Sequence, residues 1–150
     1  MNRTGGRIPD IRRLVRAASS ALKDAAPSRE GLNHITVVFI TPAYSRRLKQ
    51  RFLRQNHPAN VLSFRYEEEG EIFLAAAVIR AEARRTGKPY REYLAALTLH
   101  GLLHLYGYHH EGKGTVRRFQ RRERFLRRVL ALRGLWLGRT TTSEPRYDPA

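Results

Sequence analysis

Apolar positions recur at helical spacing in several separate stretches of the chain. Between Ile11 and Leu22 they follow one another every three or four residues, which predicts an amphipathic helix. Thr41-Pro42 is typical of a helix start, with Thr41 as the N-cap and Pro in the first turn. A Gly-Lys-Pro break at residues 87–89 separates two further helical patterns. The predicted helices cover residues 9–25, 42–54, 78–85 and 90–106, with one more from Val116 onwards.

Three short stretches are typical of strands instead. Residues 35–40 (ITVVFI) are β-branched and apolar, which favours a buried strand. Residues 60–66 (NVLSFRY) predict a second strand, and the polar residues 67–70 predict a tight turn into a third strand at residues 71–75. The second and third strands are therefore expected to form a hairpin.

The charge balance points to an anionic partner. The 150 residues contain 29 Lys and Arg against 13 Asp and Glu, a net charge of +16. Such a surface attracts polyanions, nucleic acid above all, although an anionic membrane or a merely solvated basic surface remains an alternative. No stretch has the roughly 20 apolar residues that span a bilayer, and no signal peptide is recognisable, so we expect a soluble cytoplasmic protein without a membrane partner.

The arginines concentrate in the last predicted helix. Its apolar residues mark one face and seven arginines occupy the others, so it is a basic amphipathic helix. Arg117 and Arg118 are candidate contacts to an RNA backbone, although arginine also suits any solvated helix face. Residues 139–150 are polar and contain proline without periodicity, which predicts a disordered tail after a single domain of residues 1–138.

Histidine carries the candidate chemistry, because a chain without cysteine must bind any transition metal through nitrogen and oxygen. His100 and His104 are one helical turn apart, so both imidazoles can reach one ion. Gly107 can adopt a left-handed conformation that turns the chain back and brings His110 to the same ion. Three protein ligands leave a fourth position for water, as in catalytic zinc sites, where the bound water has a pKa near 7.

The same histidine spacing occurs in zinc proteases, but two of their features are missing. Those proteases carry a Glu general base directly after the first His, where this chain has Gly101. Metzincins also have a Met turn beneath the metal, and the single methionine here is Met1. The pattern His-x-x-x-His-x-x-Gly-x-x-His is therefore metzincin-like, while peptide hydrolysis by that route lacks its base.

These residues resemble the YbeY family of endoribonucleases, the bacterial rRNA maturation factors. Residues 100–110 (HGLLHLYGYHH) match the family pattern H-G-x-L-H-L-x-G-Y-D-H at every fixed place except the Asp, which is His109 here. NVLSF at residues 60–64 matches the family strand, and GEI at residues 70–72 resembles its Gly-Asp-Ile. TGKPY from Thr86 stands where the family joins two helices, so the resemblance covers roughly residues 35–130.

The resemblance implies a fold, a metal and a substrate. The expected fold is α+β, with a small mixed β-sheet packed against helices and a metzincin-like zinc helix. It implies one Zn²⁺ per chain, held by His100, His104 and His110. It also implies single-strand-specific endoribonuclease activity, with single-stranded RNA, rRNA and the small ribosomal subunit as partners. The implied roles are maturation of the 16S rRNA 3′ end and ribosome quality control.

Two departures from the family pattern keep an alternative open. The family's catalytically important Arg aligns with Leu53 and its Asp with Asn56, so Arg54 is the candidate replacement. The alternative function is a non-catalytic RNA- or ribosome-binding assembly factor that retains the zinc fold. The candidate catalytic residues are Arg54 and His100, and the candidate substrate contacts are Arg54, Asn60, Ser63, Arg117 and Arg118.

Overall fold

The computed structural model describes residues 10–25, 32–53, 59–108 and 113–136. This part of the chain forms an α+β structure of five helices and three strands. None of these helices is long and apolar enough to cross a membrane. The elements in chain order are α1 (Ile11–Ala25), β1 (His34–Ile40), α2 (Pro42–Leu53), β2 (Val61–Tyr66), β3 (Glu69–Ala75), α3 (Ala76–Thr86), α4 (Tyr90–Leu105) and α5 (Lys113–Leu132).

The three strands form one mixed sheet in the order β1-β3-β2. β1 runs parallel to β3, and β2 runs antiparallel to β3, with Ser63 opposite Ile72. The two-residue turn between β2 and β3 places Glu67 at φ 53°, a left-handed conformation that a hairpin turn of this length uses. The hairpin expected from the hydrophobic pattern is confirmed, and so is the small mixed sheet.

The core lies between one face of this sheet and the helices. Ile72 and Leu74 of β3 are fully buried on that face. Twelve of the sixteen residues of α4 are buried, because this helix is apolar on all sides. It packs against β2, β3, α1, α3 and α5 and is the central helix of the fold.

β1 is less buried than its composition suggests. None of its seven residues is fully buried, and Phe39 is 52% exposed. Within the described residues β1 pairs with β3 alone, and Ile35 and Val37 are the two side chains that pack against the core. The expectation of a buried strand was therefore wrong, since an apolar, β-branched run does not distinguish a central strand from an edge strand packed on one face.

The N-cap predicted for α2 and the glycine C-cap predicted for α3 are both present. Thr41 Oγ1 accepts a hydrogen bond of 3.1 Å from the Tyr44 backbone N–H, which confirms the N-cap of α2. α3 ends at Gly87, whose φ of 69° and backbone bonds to Ala83 and Arg84 form the expected glycine C-cap. The predicted disorder of residues 139–150 and the domain boundary at residue 138 lie outside the described residues and stay predictions.

Candidate metal centre

Two histidines of α4 direct the same ring atom to one point. His100 Nε2 and His104 Nε2 lie 2.9 Å apart, and the ring centroids are 4.5 Å apart with the planes at 75°. The contact is a hydrogen bond when one of the two nitrogens carries a proton and the other does not. His100 is only 5% exposed. The i, i+4 spacing therefore produces the convergence that the sequence predicted.

This donor pair suits a zinc ion. Two nitrogens bound to one tetrahedral zinc at about 2.0 to 2.1 Å are about 3.3 Å apart, so small ring rotations convert the observed contact into a pair of ligands. Neutral imidazole is also a good zinc donor. Across the described ranges no group of three or more His, Cys, Asp or Glu is placed so that it could hold a metal ion. His110 lies outside those ranges, so the third ligand remains a prediction.

The helix that carries the pair ends in a tight turn at Gly107. Gly107 has φ 83°, and its N–H donates to the His104 carbonyl at 3.0 Å. The next N–H, of Tyr108, donates to the Leu103 carbonyl at 3.0 Å. These two bonds form a Schellman motif, which stops the helix and changes the chain direction. The predicted left-handed conformation of Gly107 is confirmed, and the return of the chain towards the pair at His110 stays a prediction.

The side of α4 next to Gly101 lies directly on the sheet. Ser63 Oγ donates to the Gly101 carbonyl at 3.0 Å. A Cβ at position 101 would lie 2.8 Å from Ser63 Oγ and 3.2 Å from the side chains of Ile72 and Val61. The position where zinc proteases carry their general base therefore has no space for a side chain in this fold.

A second donor of β2 holds the end of the same helix. Arg65 lies two residues after Ser63 on the same strand face, and its Nη1 donates to the Leu105 carbonyl at 2.8 Å. Its Nε donates to the Glu67 carbonyl at 3.0 Å. Leu105 is one turn beyond Gly101, so strand spacing and helix spacing match. The sequence analysis did not identify Arg65. Its position two residues after Ser63 places both side chains on one face of β2, and this was the available signal for a shared contact.

α5 covers the histidine pair with an aromatic ring. The Phe119 ring centroid is 4.9 Å from that of His100 and 5.5 Å from that of His104. Phe119 is buried, whereas Arg117 and Arg118 are exposed. The two candidate RNA contacts of α5 are therefore exposed to solvent, and they directly precede Phe119 in the sequence.

Asn60, another candidate substrate contact, belongs to a polar cluster between β2, α3 and α4. Asn60 Nδ2 donates to Glu82 Oε2 at 2.9 Å, and the Tyr93 hydroxyl donates to the same oxygen at 2.7 Å. Burial, followed by the bond to the Glu82 carboxylate, raises the pKa of Tyr93 above its ordinary value. Sequence reasoning missed Glu82 and Tyr93, because only the tertiary fold brings them to Asn60.

The structure thus brings together two of the predicted site residues, His100 and His104. The hydroxyl of Ser63 and the amide of Asn60 already hold α4 and α3 in place. Their roles as substrate contacts stay predictions. Arg54, the candidate catalytic cation, lies outside the described residues.

Comparisons with known proteins agree on one family. The family model described as Endoribonuclease YbeY matches residues 3–130. A protein named Endoribonuclease YbeY from Alkalilimnicola ehrlichii is 34% identical over 138 residues, which cover 85% of this chain and 80% of the relative. One of the same name from Thiobacillus denitrificans is 33% identical over 132 residues, covering 77% of this chain and 88% of the relative.

A solved structure supports the fold. The solution structure of a Thermotoga maritima protein superposes with a TM-score of 0.51 at 23% sequence identity. The superposition covers 91% of this chain and 93% of the other. This similarity extends over nearly all of both chains, so the α+β arrangement described above is shared.

Proposed function

Because this chain belongs to the YbeY endoribonuclease family, we propose that it is a zinc-dependent endoribonuclease that cleaves single-stranded RNA. The observation that carries the proposal is the convergence of His100 Nε2 and His104 Nε2, 2.9 Å apart on the central helix. The relatives that match over most of the chain are named endoribonucleases, and this supports an RNA substrate. The net charge of +16 supports it independently.

The residues of the proposed site have separate roles. His100, His104 and His110 are the proposed ligands of one zinc ion per chain. When bound, zinc supplies Lewis acidity and lowers the pKa of a coordinated water. Phe119 excludes water from one side of the pair, which strengthens electrostatic interactions there. Arg54 is the proposed cation that offsets negative charge on the phosphate. Asn60 and Ser63 are proposed substrate contacts, and Arg117 and Arg118 of α5 are proposed contacts to the RNA backbone away from the pair.

The proposed biological role follows the family. We place the activity in the cytoplasm, on rRNA and the small ribosomal subunit, in maturation of the 16S rRNA 3′ end and in ribosome quality control. The resemblance supports this role through residues 100–110 and the NVLSF strand, residues 60–64.

One observation favours a second candidate function, a non-catalytic assembly factor that binds RNA. Leu53 occupies the family's Arg position, and it is 50% exposed at the end of α2. A leucine supplies no positive charge to a phosphate. Without a substitute such as Arg54, the site would keep its metal and lose catalysis.

Cleavage of a labelled single-stranded RNA by zinc-loaded protein separates the two candidates. We expect cleavage that stops on addition of a chelator and falls at least about 100-fold in His104→Ala, since the loss of a ligand removes the metal. His34→Ala is the matched control, because His34 is an exposed histidine on the edge strand β1. It should cleave like the unaltered protein.

RNA binding without cleavage by the zinc-loaded protein would support the assembly factor. Cleavage that persists in chelator and in His104→Ala would contradict a role for the histidine pair altogether.

A further inference from the structure

α5 carries a straight row of arginines on its outer side. Arg117, Arg121, Arg124 and Arg128 are all exposed and follow one another at intervals of four, three and four residues. At 100° per residue they lie within about 60° of one another, along about 16 Å of helix axis. We call these four residues the arginine ridge.

The ridge has no counter-charge from its own helix. The single carboxylate of α5 is Glu123, which is 6% exposed and forms an ion pair with Arg127. Like charges three and four residues apart destabilise a helix by a few tenths of a kcal/mol per pair. Within α5 the ridge arginines therefore repel one another, and a polyanion bound along them would remove that repulsion.

The ridge lies on the far side of α5 from the histidine pair. Phe119 contacts both imidazoles, and it is about 140° or more around the helix axis from every member of the ridge. A helix with its side chains is about 10 to 12 Å thick. RNA on the ridge is therefore a different part of the strand from the nucleotides at the histidines.

We propose that the arginine ridge is an exosite that binds the phosphate backbone of RNA outside the segment held at the histidine pair. The proposal rests on the proposed function and names the form of substrate that it favours, an RNA long enough to reach both surfaces. Guanidinium groups bind phosphate oxygens in a bidentate manner, and backbone contacts of this kind position an RNA without reading its sequence.

The chemistry of the surface favours RNA over an anionic membrane. The exposed apolar residues beside the ridge are Phe125, which is 39% exposed beneath the Arg122 guanidinium at 5.7 Å, and Leu132. Interfacial helices instead present a continuous apolar face to the lipid. The apolar face of α5 is buried against the core through Phe119, Leu126 and Leu130.

The test is a triple variant, Arg121→Gln, Arg124→Gln and Arg128→Gln, in the full zinc-loaded chain. Glutamine keeps the helix propensity and removes three charges. The matched control is Arg46→Gln, Arg47→Gln and Arg84→Gln, three exposed arginines on α2 and α3. Both variants are assayed with an RNA of about 30 nucleotides and one of about five, a length at the lower end of single-strand binding sites.

For the long RNA we expect the ridge variant to bind roughly 10- to 100-fold more weakly, with kcat unchanged. The slope of log K against log salt should fall by about 2, the value for three lost phosphate contacts. The ridge variant should cleave the short RNA as the unaltered protein does. The control variant should bind and cleave both RNAs as the unaltered protein does. Thermal unfolding of the ridge variant should occur at the same or a higher temperature, because repulsion is relieved.

If the ridge and control variants weaken binding of the long RNA equally, the exosite is overturned, because the effect then depends on net charge and not on the position of the arginines. A loss confined to binding of anionic phosphatidylserine vesicles would overturn it in favour of a membrane. If the protein cleaves no RNA, the proposed function fails, while the binding constants and salt slopes still decide the exosite.

Discussion

Gly101 shows how a single residue can fix the position of the central helix. The absence of a side chain lets the helix backbone approach β2 closely enough for Ser63 to bond to the Gly101 carbonyl. From sequence, Gly101 only marked the absence of a protease base. The structure adds that the contact with β2 excludes any side chain at this position.

Gly101→Ala should therefore lower the free energy of unfolding by about 1 to 3 kcal/mol, the usual cost of overpacking. The new Cβ would lie 2.8 Å from Ser63 Oγ. Gly114→Ala is the control, because nothing lies within 4 Å of a Cβ at that position of α5. Urea unfolding should show the control unchanged or slightly more stable. Equal stability of both variants would mean that the helix is not held so closely.

The Tyr93 hydroxyl donates to the carboxylate of Glu82 in a buried position. Tyr93→Phe removes this hydrogen bond and keeps the one that Asn60 donates to the same carboxylate. We expect a loss of about 1 kcal/mol in the free energy of unfolding near neutral pH. Calorimetry of the variant beside the unaltered protein measures it, and no loss of stability would contradict the bond.

The raised pKa of Tyr93 also predicts a pH dependence. Its phenol stays protonated in the folded state above pH 10, where the unfolded chain ionises. The contribution is therefore complete below about pH 10 and is lost as the pH rises towards the folded-state pKa. The stability advantage of the unaltered protein over Tyr93→Phe should be constant below about pH 9 and should shrink between about pH 10 and about pH 12. A constant difference across that range would refute the raised pKa.

The hydrophobic pattern predicted most helices and strands, but it did not predict how these elements pack against one another. The helical periodicity and the polar turn placed the helices and the hairpin. The edge position of β1 was not predictable, because Ile35 and Val37 are as apolar as residues of a central strand. The bonds from Ser63 and Arg65 to α4 were not predictable either, since they join residues 38 and 40 positions apart.

Arg65 joins the end of the hairpin to the end of α4. Arg65→Met keeps an apolar stem of comparable size and removes both donors. We expect a loss of about 1 kcal/mol and faster amide hydrogen exchange in the last turn of α4. Arg47→Met, at an exposed position of α2, is the control. Unchanged exchange in that turn would show that Arg65 does not hold it.

Within the described residues, the fold buries His100 beside a half-buried His104 and leaves most Lys and Arg side chains exposed. The pair was predictable because both of its members lie in one helix, so local spacing determines their geometry. The cluster of Asn60, Glu82 and Tyr93 was not, because it joins three elements. The arginine ridge is an intermediate case. The spacing of its residues can be read from the sequence, but the packing of α5 decides which face of the helix is exposed.

The zinc content of the purified chain shows whether the two imidazoles, together with His110, hold one metal ion. After equilibration with a small molar excess of zinc and removal of the unbound metal by gel filtration, elemental analysis should find about one zinc per chain in the unaltered protein. His100→Ala and His104→Ala should retain far less, and His34→Ala should match the unaltered protein. An unaltered protein that takes up no zinc, or variants that keep it, would contradict the claim.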